Sequence, residues 1–147
     1  MVTPMPSIDI DQAKARNTAI LRSYLDLFES LKFEEWGELW SEQGKFIIPY
    51  PVNQPPTIIA GKETLVEHFN TFKPIVAEMR FSDIDIIQAT NSELFVVKMS
   101  NYVKATNGYE YKNKLVWFVK IEDDKISEIL EYFDPVAYNQ FVKELSA

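Results

Sequence analysis

The second half of the chain changes side at every residue. Runs at 80–89, 93–104, 109–121 and 125–133 alternate apolar with polar residues, and Asn91-Ser92, Asn107-Gly108 and Asp123-Asp124 separate them. A period of two is the mark of a strand buried on one face. Asn-Gly is the strongest of the three turn signals, because a type I′ turn needs positive φ at both central residues. The pattern predicts a four-stranded antiparallel meander whose apolar face must be covered by something else.

Two-residue turns fix a register, and register fixes which side chains share a face. Pairing Thr106 with Tyr109 sets Met99 opposite Val116 and Val97 opposite Phe118, and pairing Glu122 with Lys125 sets Val116 opposite Glu131. Pairing Thr90 with Glu93 adds Ile84 and Ile86. The predicted covered face carries Ile84, Ile86, Val97, Met99, Val116, Phe118 and Ile129, beside a row of Ser82, Asn101, Lys114 and Phe133. The other face mixes Asp83, Asp85, Lys98, Ser100 and Glu128 with Trp117, Val119 and Leu130. That centre is too apolar to stay wet, which predicts a homodimer through the outer sheet face.

The first half supplies the cover. Over 9–31, Ile20, Tyr24, Leu27, Phe28 and Leu31 recur at helical spacing, with Asp9 and Gln12 placed to cap the start. Phe33, Trp36, Leu39 and Trp40 continue that spacing into a second helix that Gly44 is expected to stop. Residues 45–50 read as an edge strand running into a Pro-rich loop, and 57–60 as another short strand. Gly61 opens a third helix with Leu65, His68, Phe69 and Phe72 on one face, and Asp134-Pro135 starts a closing helix over 136–145. The fold class is α+β: a cone-shaped, curved, mixed or antiparallel sheet wrapped over three N-terminal helices, with a short C-terminal helix. Residues 1–8 read as a tail and 9–147 as one domain.

Composition narrows the function classes. In 147 residues, 15 basic against 22 acidic groups give a net charge of −7, the wrong sign for nucleic acid or an anionic membrane. With no Cys and one His, disulfides, thiolate sites and a multi-histidine metal site within one chain are excluded, and no metal is expected. Neither a Gly-rich phosphate loop nor a Ser–His–Asp arrangement with a nucleophile elbow is present. The start of the chain shows neither a signal-peptide pattern nor an apolar span, so a cytoplasmic location is expected.

Glu131 falls on the predicted covered face among apolar residues, where desolvation raises a carboxyl pKa toward the range of a general acid. A rim position paired with Lys114 is the bland alternative. His68 shares an apolar helical face and is the second candidate, against a packing role. Tyr24, on the stripe of the first helix, is either a hydroxyl donor to substrate or a core tyrosine. Trp36 and Trp40 read as core, and Tyr102, Tyr109 and Tyr111 as cross-strand packing.

The element order, with LWSEQGKFIIPYP before the loop, AGKETLVEHF at the third helix and DDKISEILEYFDP at the last strand, resembles the nuclear transport factor 2-like superfamily and its SnoaL-like domains. Within it, the phenazine-biosynthesis A/B proteins resemble this chain most, by a His in a GKxxLxEH-like helix start and a Glu before the final aromatic-x-Pro segment. Those positions are His68 and Glu131 here. The resemblance implies acid–base assistance to an imine-forming condensation, with Glu131 as acid and His68 as its aid. Phe72 replaces that family's polar residue one turn after the His, and no Arg falls in the pocket rows, leaving Lys114 as the cation for a substrate carboxylate. Ketosteroid isomerase, another cone enzyme, is matched by Tyr24 in its spacing to Pro49, but Ile48 and Val116 stand where its two Asp residues belong.

The sequence thus reads as a small-molecule enzyme without metal or organic cofactor. Its catalytic candidates are Glu131 and His68, and its substrate contacts are Tyr24, Lys114, Asn101, Met99, Val116, Phe118, Phe72 and Trp40. The expected chemistry is condensation, imine formation, cyclisation or isomerisation of a cyclic keto acid or polyketide-like substrate, and the expected partner is a small apolar or aromatic or cyclic carboxylic acid, with no nucleic acid or membrane. A binding module with the same pocket and an interaction domain with a closed pocket are the alternatives.

Overall fold

The computed structural model describes residues 7–51, 54–91 and 93–146, without the side chains of 7–10. The elements run α1 (Ser7–Glu29), α2 (Phe33–Gly37), β1 (Trp40–Ile48), β2 (Thr57–Ala60), α3 (Lys62–Asn70), β3 (Val76–Gln88), β4 (Leu94–Ala105), β5 (Glu110–Glu122), β6 (Lys125–Phe133) and α4 (Pro135–Leu145). One six-stranded sheet has the order β2-β1-β6-β5-β4-β3. The β3–β6 meander is antiparallel, and β1 lies parallel to β6, so the sheet is mixed, one of the two arrangements the sequence left open.

Helix α1 buries Leu21, Tyr24, Leu25 and Phe28 at 3–4 spacing. It begins at Ser7, inside the stretch read as a tail, and the cap expected of Asp9 lies outside the described side chains. Left-handed Leu31 (φ 57°) ends the helix, with its N–H on the Phe28 carbonyl and the Lys32 N–H on that of Leu27. Asp134 caps α4 as predicted, its Oδ1 accepting from Val136 N at 2.9 Å ahead of Pro135 in the first turn.

The second helix is shorter than its spacing suggested. It ends at Gly37, Trp40 opens β1, and Gly44 sits inside that strand rather than stopping a helix. A Cβ on Gly44 would lie 2.5 Å from Trp40 Cε3, so this glycine makes room for an indole folded back over its own strand. Strand β3 also starts earlier than expected, at Val76.

The register corrects the predicted faces, and the errors fall on one strand. The β4–β5 loop holds three residues, with Ala105 N donating to Tyr109 O and Gly108 alone left-handed at φ 93°. Met99 therefore pairs with Leu115 and Val97 with Trp117. Across β5 and β6 the Glu122–Lys125 turn is as expected, but a bulge between Lys120 and Ile121 shifts the remainder by one residue. Both slips flank β5, so β5 alone is turned over. Trp117 and Val119 face the helices, while Val116, Phe118 and Lys114 face outward. Left-handed Asp83 lies in a further irregularity that pairs Phe81, not Ser82, with Asn101.

Helices α1–α3 cover the inner face with a dense aromatic cluster. Tyr24, Phe28, Phe33, Trp36, Trp40, Phe69 and Trp117 meet mostly edge to face at centroid distances between 5.1 and 6.1 Å. A smaller cluster of Val76, Val103, Ala105, Tyr111 and Phe141 seats α4 on the end of β4 and β5. Among the described residues no helix is long and apolar enough to cross a membrane.

Candidate functional site

Where the two clusters part, a cavity of about 180 Å³ remains between the sheet, α3 and α4. Its wall is almost wholly apolar, and among the described residues Glu131 is the one carboxyl on it. Strand β6 aims Glu131 inward beside Trp117, whose Nε1–H donates to Oε2 at 2.8 Å. Burial raises the Glu131 pKa to about 7, against the opposing effect of the indole bond. A single neutral donor on an enclosed carboxylate is too little to hold it ionised at the usual acidity.

The structure brings four of the sequence candidates to this cavity: Glu131, His68, Phe72 and Asn101. His68 reaches it from α3 but stands exposed at the mouth rather than facing the sheet interior. Its ring meets Phe69 and Phe72 edge-on, and desolvation lowers its pKa. A smaller recess of about 100 Å³, bounded by Pro51, Gln54, Pro135 and Asn139, shares His68, Tyr138, Ile48, Ile59 and Phe133 with the main cavity. It forms a vestibule between the β1–β2 connection and α4.

The other six do not reach the wall. Tyr24, Trp40 and Met99 are buried in the core behind it. Tyr24 is 0% exposed and packs edge-on against Trp117 at 5.3 Å. Burial and the nearby Glu131 charge push its pKa well above the ordinary phenol value. Val116, Phe118 and Lys114 lie outward because β5 is turned over, so Lys114 is no cation for a ligand in the cavity.

Sequence reasoning missed Trp117, Tyr111 and Tyr138. Trp117 and Tyr111 share the true inner face of β5, and only the three-residue loop and the bulge could have revealed it. Tyr138 comes from α4, a helix whose apolar face had been given no target. Tyr111 Oη accepts from Asn113 Nδ2 at 2.6 Å, and burial raises its pKa. Tyr138 is raised in the same way, by burial and then by Glu131. Neutral hydroxyls, one carboxyl and the Asn101 amide are thus the polar groups set in an apolar wall with His68 at its mouth. Such a set suits proton transfer with hydrogen bonding to a substrate oxygen. Among the described residues no three His, Asp or Glu side chains converge as a metal would require.

The chain belongs to the SnoaL-like domain family, whose model matches residues 21–129. Among curated proteins it is 20% identical over 122 residues to the uncharacterised YesE of Bacillus subtilis (strain 168), covering 82% of each chain. Among solved structures, a phenazine biosynthesis-related protein of Pseudomonas aeruginosa, phzb2, superposes with a TM-score of 0.77 at 20% identity, covering 96% of this chain and 92% of that one. PrhC of Penicillium brasilianum gives the same score at 18% identity, covering 91% and 90%. These structures share the fold of this chain: an α+β cone of the nuclear transport factor 2-like type.

Proposed function

We propose that this protein is an acid–base enzyme acting on a small cyclic carbonyl compound, by proton transfer at a ketone or imine of the kind used in condensation, cyclisation or isomerisation. The observation that carries the reading is Glu131, an enclosed carboxyl with one oxygen on the Trp117 indole, facing an apolar cavity and titrating near neutrality. A group with pKa near the working pH is present in both forms, so it both takes and returns a proton. Ionised Glu131 removes a proton from the carbon beside the carbonyl, Tyr111 or Tyr138 donates to the carbonyl oxygen, and protonated Glu131 delivers the proton to the new position. His68 orients the ligand at the mouth or relays protons to solvent. The likeness to a phenazine biosynthesis-related protein supports this class of chemistry through the shared fold alone. We also propose that the working form is a homodimer through the outer sheet face.

The test is hydrogen–deuterium exchange at the α-carbons of cyclic ketones in heavy water, followed by NMR. Exchange catalysed by the wild type and lost in Glu131→Gln is the expected result. Binding without catalysed exchange would make the cavity a carrier site, and equal exchange in the variant would remove Glu131 from the mechanism.

A further inference from the structure

The charge balance of the cavity narrows what can enter. Among the described residues no Lys or Arg lines it, and its single carboxyl stands without a counter-cation. The polar groups that share the cavity with Glu131 are neutral, Trp117 and Tyr111 of β5, Tyr138 of α4 and Asn101 of β4, with Tyr24 of α1 buried behind the wall. His68, the one basic group on the wall, sits at the mouth, and its burial favours the uncharged ring. Lys112, Lys114 and Arg80 line a neighbouring groove that shares only Phe81 and Asn101 with the cavity, and none of the three reaches the cavity wall.

Resting on the reading of this cavity as a ligand site, we infer that it selects uncharged, single-ring carbonyl compounds and rejects ring carboxylates, with Tyr111 as the residue that recognises the carbonyl oxygen. Size sets the single ring: an apolar hole of roughly 150 Å³ takes up benzene, and this one holds about 180 Å³. Charge sets the rejection, because a ligand carboxylate would lose its water beside Glu131 with no cation to replace it. Tyr111 is singled out by how its hydroxyl is held. Asn113 Nδ2 donates to the Tyr111 oxygen, while Asn113 Oδ1 is taken by the backbone N–H groups of Lys114 and Asp134 at 2.7 and 2.9 Å. The phenolic hydrogen therefore has no acceptor on Asn113 and is available to a ligand oxygen on the cavity side.

Three single-ring probes of similar size test this: ethylbenzene, acetophenone and benzoate, titrated by calorimetry against the whole chain at about pH 8, where benzoate is an anion. The inference expects acetophenone to bind at least about tenfold more tightly than benzoate, since an unpaired buried charge costs more than a neutral group. Tyr111→Phe should weaken acetophenone about five- to tenfold and leave ethylbenzene unchanged, the value of one hydrogen bond. Glu131→Gln should restore benzoate more than acetophenone. Should Glu131→Gln fail to fold, the Tyr111→Phe comparison stands by itself. Benzoate binding as tightly as acetophenone to the wild type overturns the charge selection and leaves the cavity a ligand site. Equal loss of ethylbenzene and acetophenone in Tyr111→Phe overturns the carbonyl contact. If none of the three binds, the cavity is not a ligand site, and the inference falls together with the reading beneath it.

Discussion

The indole N–H of Trp117 donates to Glu131 Oε2 at 2.8 Å, and this is the only hydrogen bond the carboxyl makes among the described residues. Two adjacent strands hold the pair, since Trp117 and Glu131 are direct cross-strand partners. The bond favours the ionised form and burial opposes it more strongly. Trp117→Phe should therefore raise the Glu131 pKa above its present value of about 7. Carboxyl-carbon NMR across the pH range reads this directly, and a midpoint that falls would show that the indole does not stabilise the charge.

The same carboxyl ties folding stability to pH. Its folded pKa lies above the ordinary carboxyl value, so the folded state binds the proton more tightly than the unfolded chain does. The resulting stability is fully present below about pH 4.5 and is lost as pH rises through about 7. Over that window the wild type should lose about 3 kcal/mol relative to Glu131→Gln, an order-of-magnitude value. Urea melts of both proteins between pH 4.5 and 8 measure the difference. A gap that stays constant with pH would mean that Glu131 titrates like an exposed carboxyl.

Asn113 ties α4 to the sheet. Its amide donates to the Asp134 carbonyl at 2.9 Å and to Tyr111 Oη, and its carbonyl accepts from the N–H groups of Asp134 and Lys114. Asn113→Ala would leave buried polar groups without partners, at a cost of about 2–4 kcal/mol. The loss should be local at first, with faster amide exchange over residues 135–145 and little change in α1. Uniform acceleration across the chain would instead show that α4 opens only with the whole domain.

Much of the fold was legible because its signals are local. The period of two, the Asp123-Asp124 turn, Gly61 before α3 and the Asp134-Pro135 cap all act within a few residues, and each stands where the sequence placed it. Glu131 was legible as an inward-facing group because two errors cancelled on reaching β6: the β4–β5 loop has one residue more than assumed, and the bulge in the β5–β6 ladder restores the phase. The strand between them, β5, took the whole error, which hid Trp117 and Tyr111 and promoted Val116, Phe118 and Lys114. A bulge depends on how a strand bends to meet its neighbours, and no residue type announces it. Trp40 and Gly44 misled for a related reason. Their spacing suits a helix and its stop, but the indole needs the space above a Gly within a strand. That need yields a check of its own: Gly44→Ala should destabilise the protein by about 1–3 kcal/mol through overpacking against Trp40, while Gly108→Ala meets no neighbour and loses only turn conformation.

The corrected register also remakes the outer face. Ile58, Ile47, Leu130, Phe118, Val96 and Ile87 are successive partners across all six strands, a continuous apolar row from one sheet edge to the other. Ile58 is 60% exposed, Ile87 43% and Phe118 38% in the single chain. The adjoining row sets Lys120 beside Glu128 on neighbouring strands. In the proposed dimer, a two-fold axis along the strands between β5 and β6 would lay Phe118 over the Leu130 position of the second copy and Lys120 over its Glu128 position, in both directions at once. Such self-complementarity is what a second copy of the chain requires. Phe118→Lys places a charge at the centre of that row and should convert a dimer to a monomer in sedimentation equilibrium, with the fold unchanged by circular dichroism. A wild type that sediments as a monomer at tens of micromolar would leave the row without this partner, whereas a dimer that survives both Phe118→Lys and Leu130→Glu would place the interface elsewhere on the molecule.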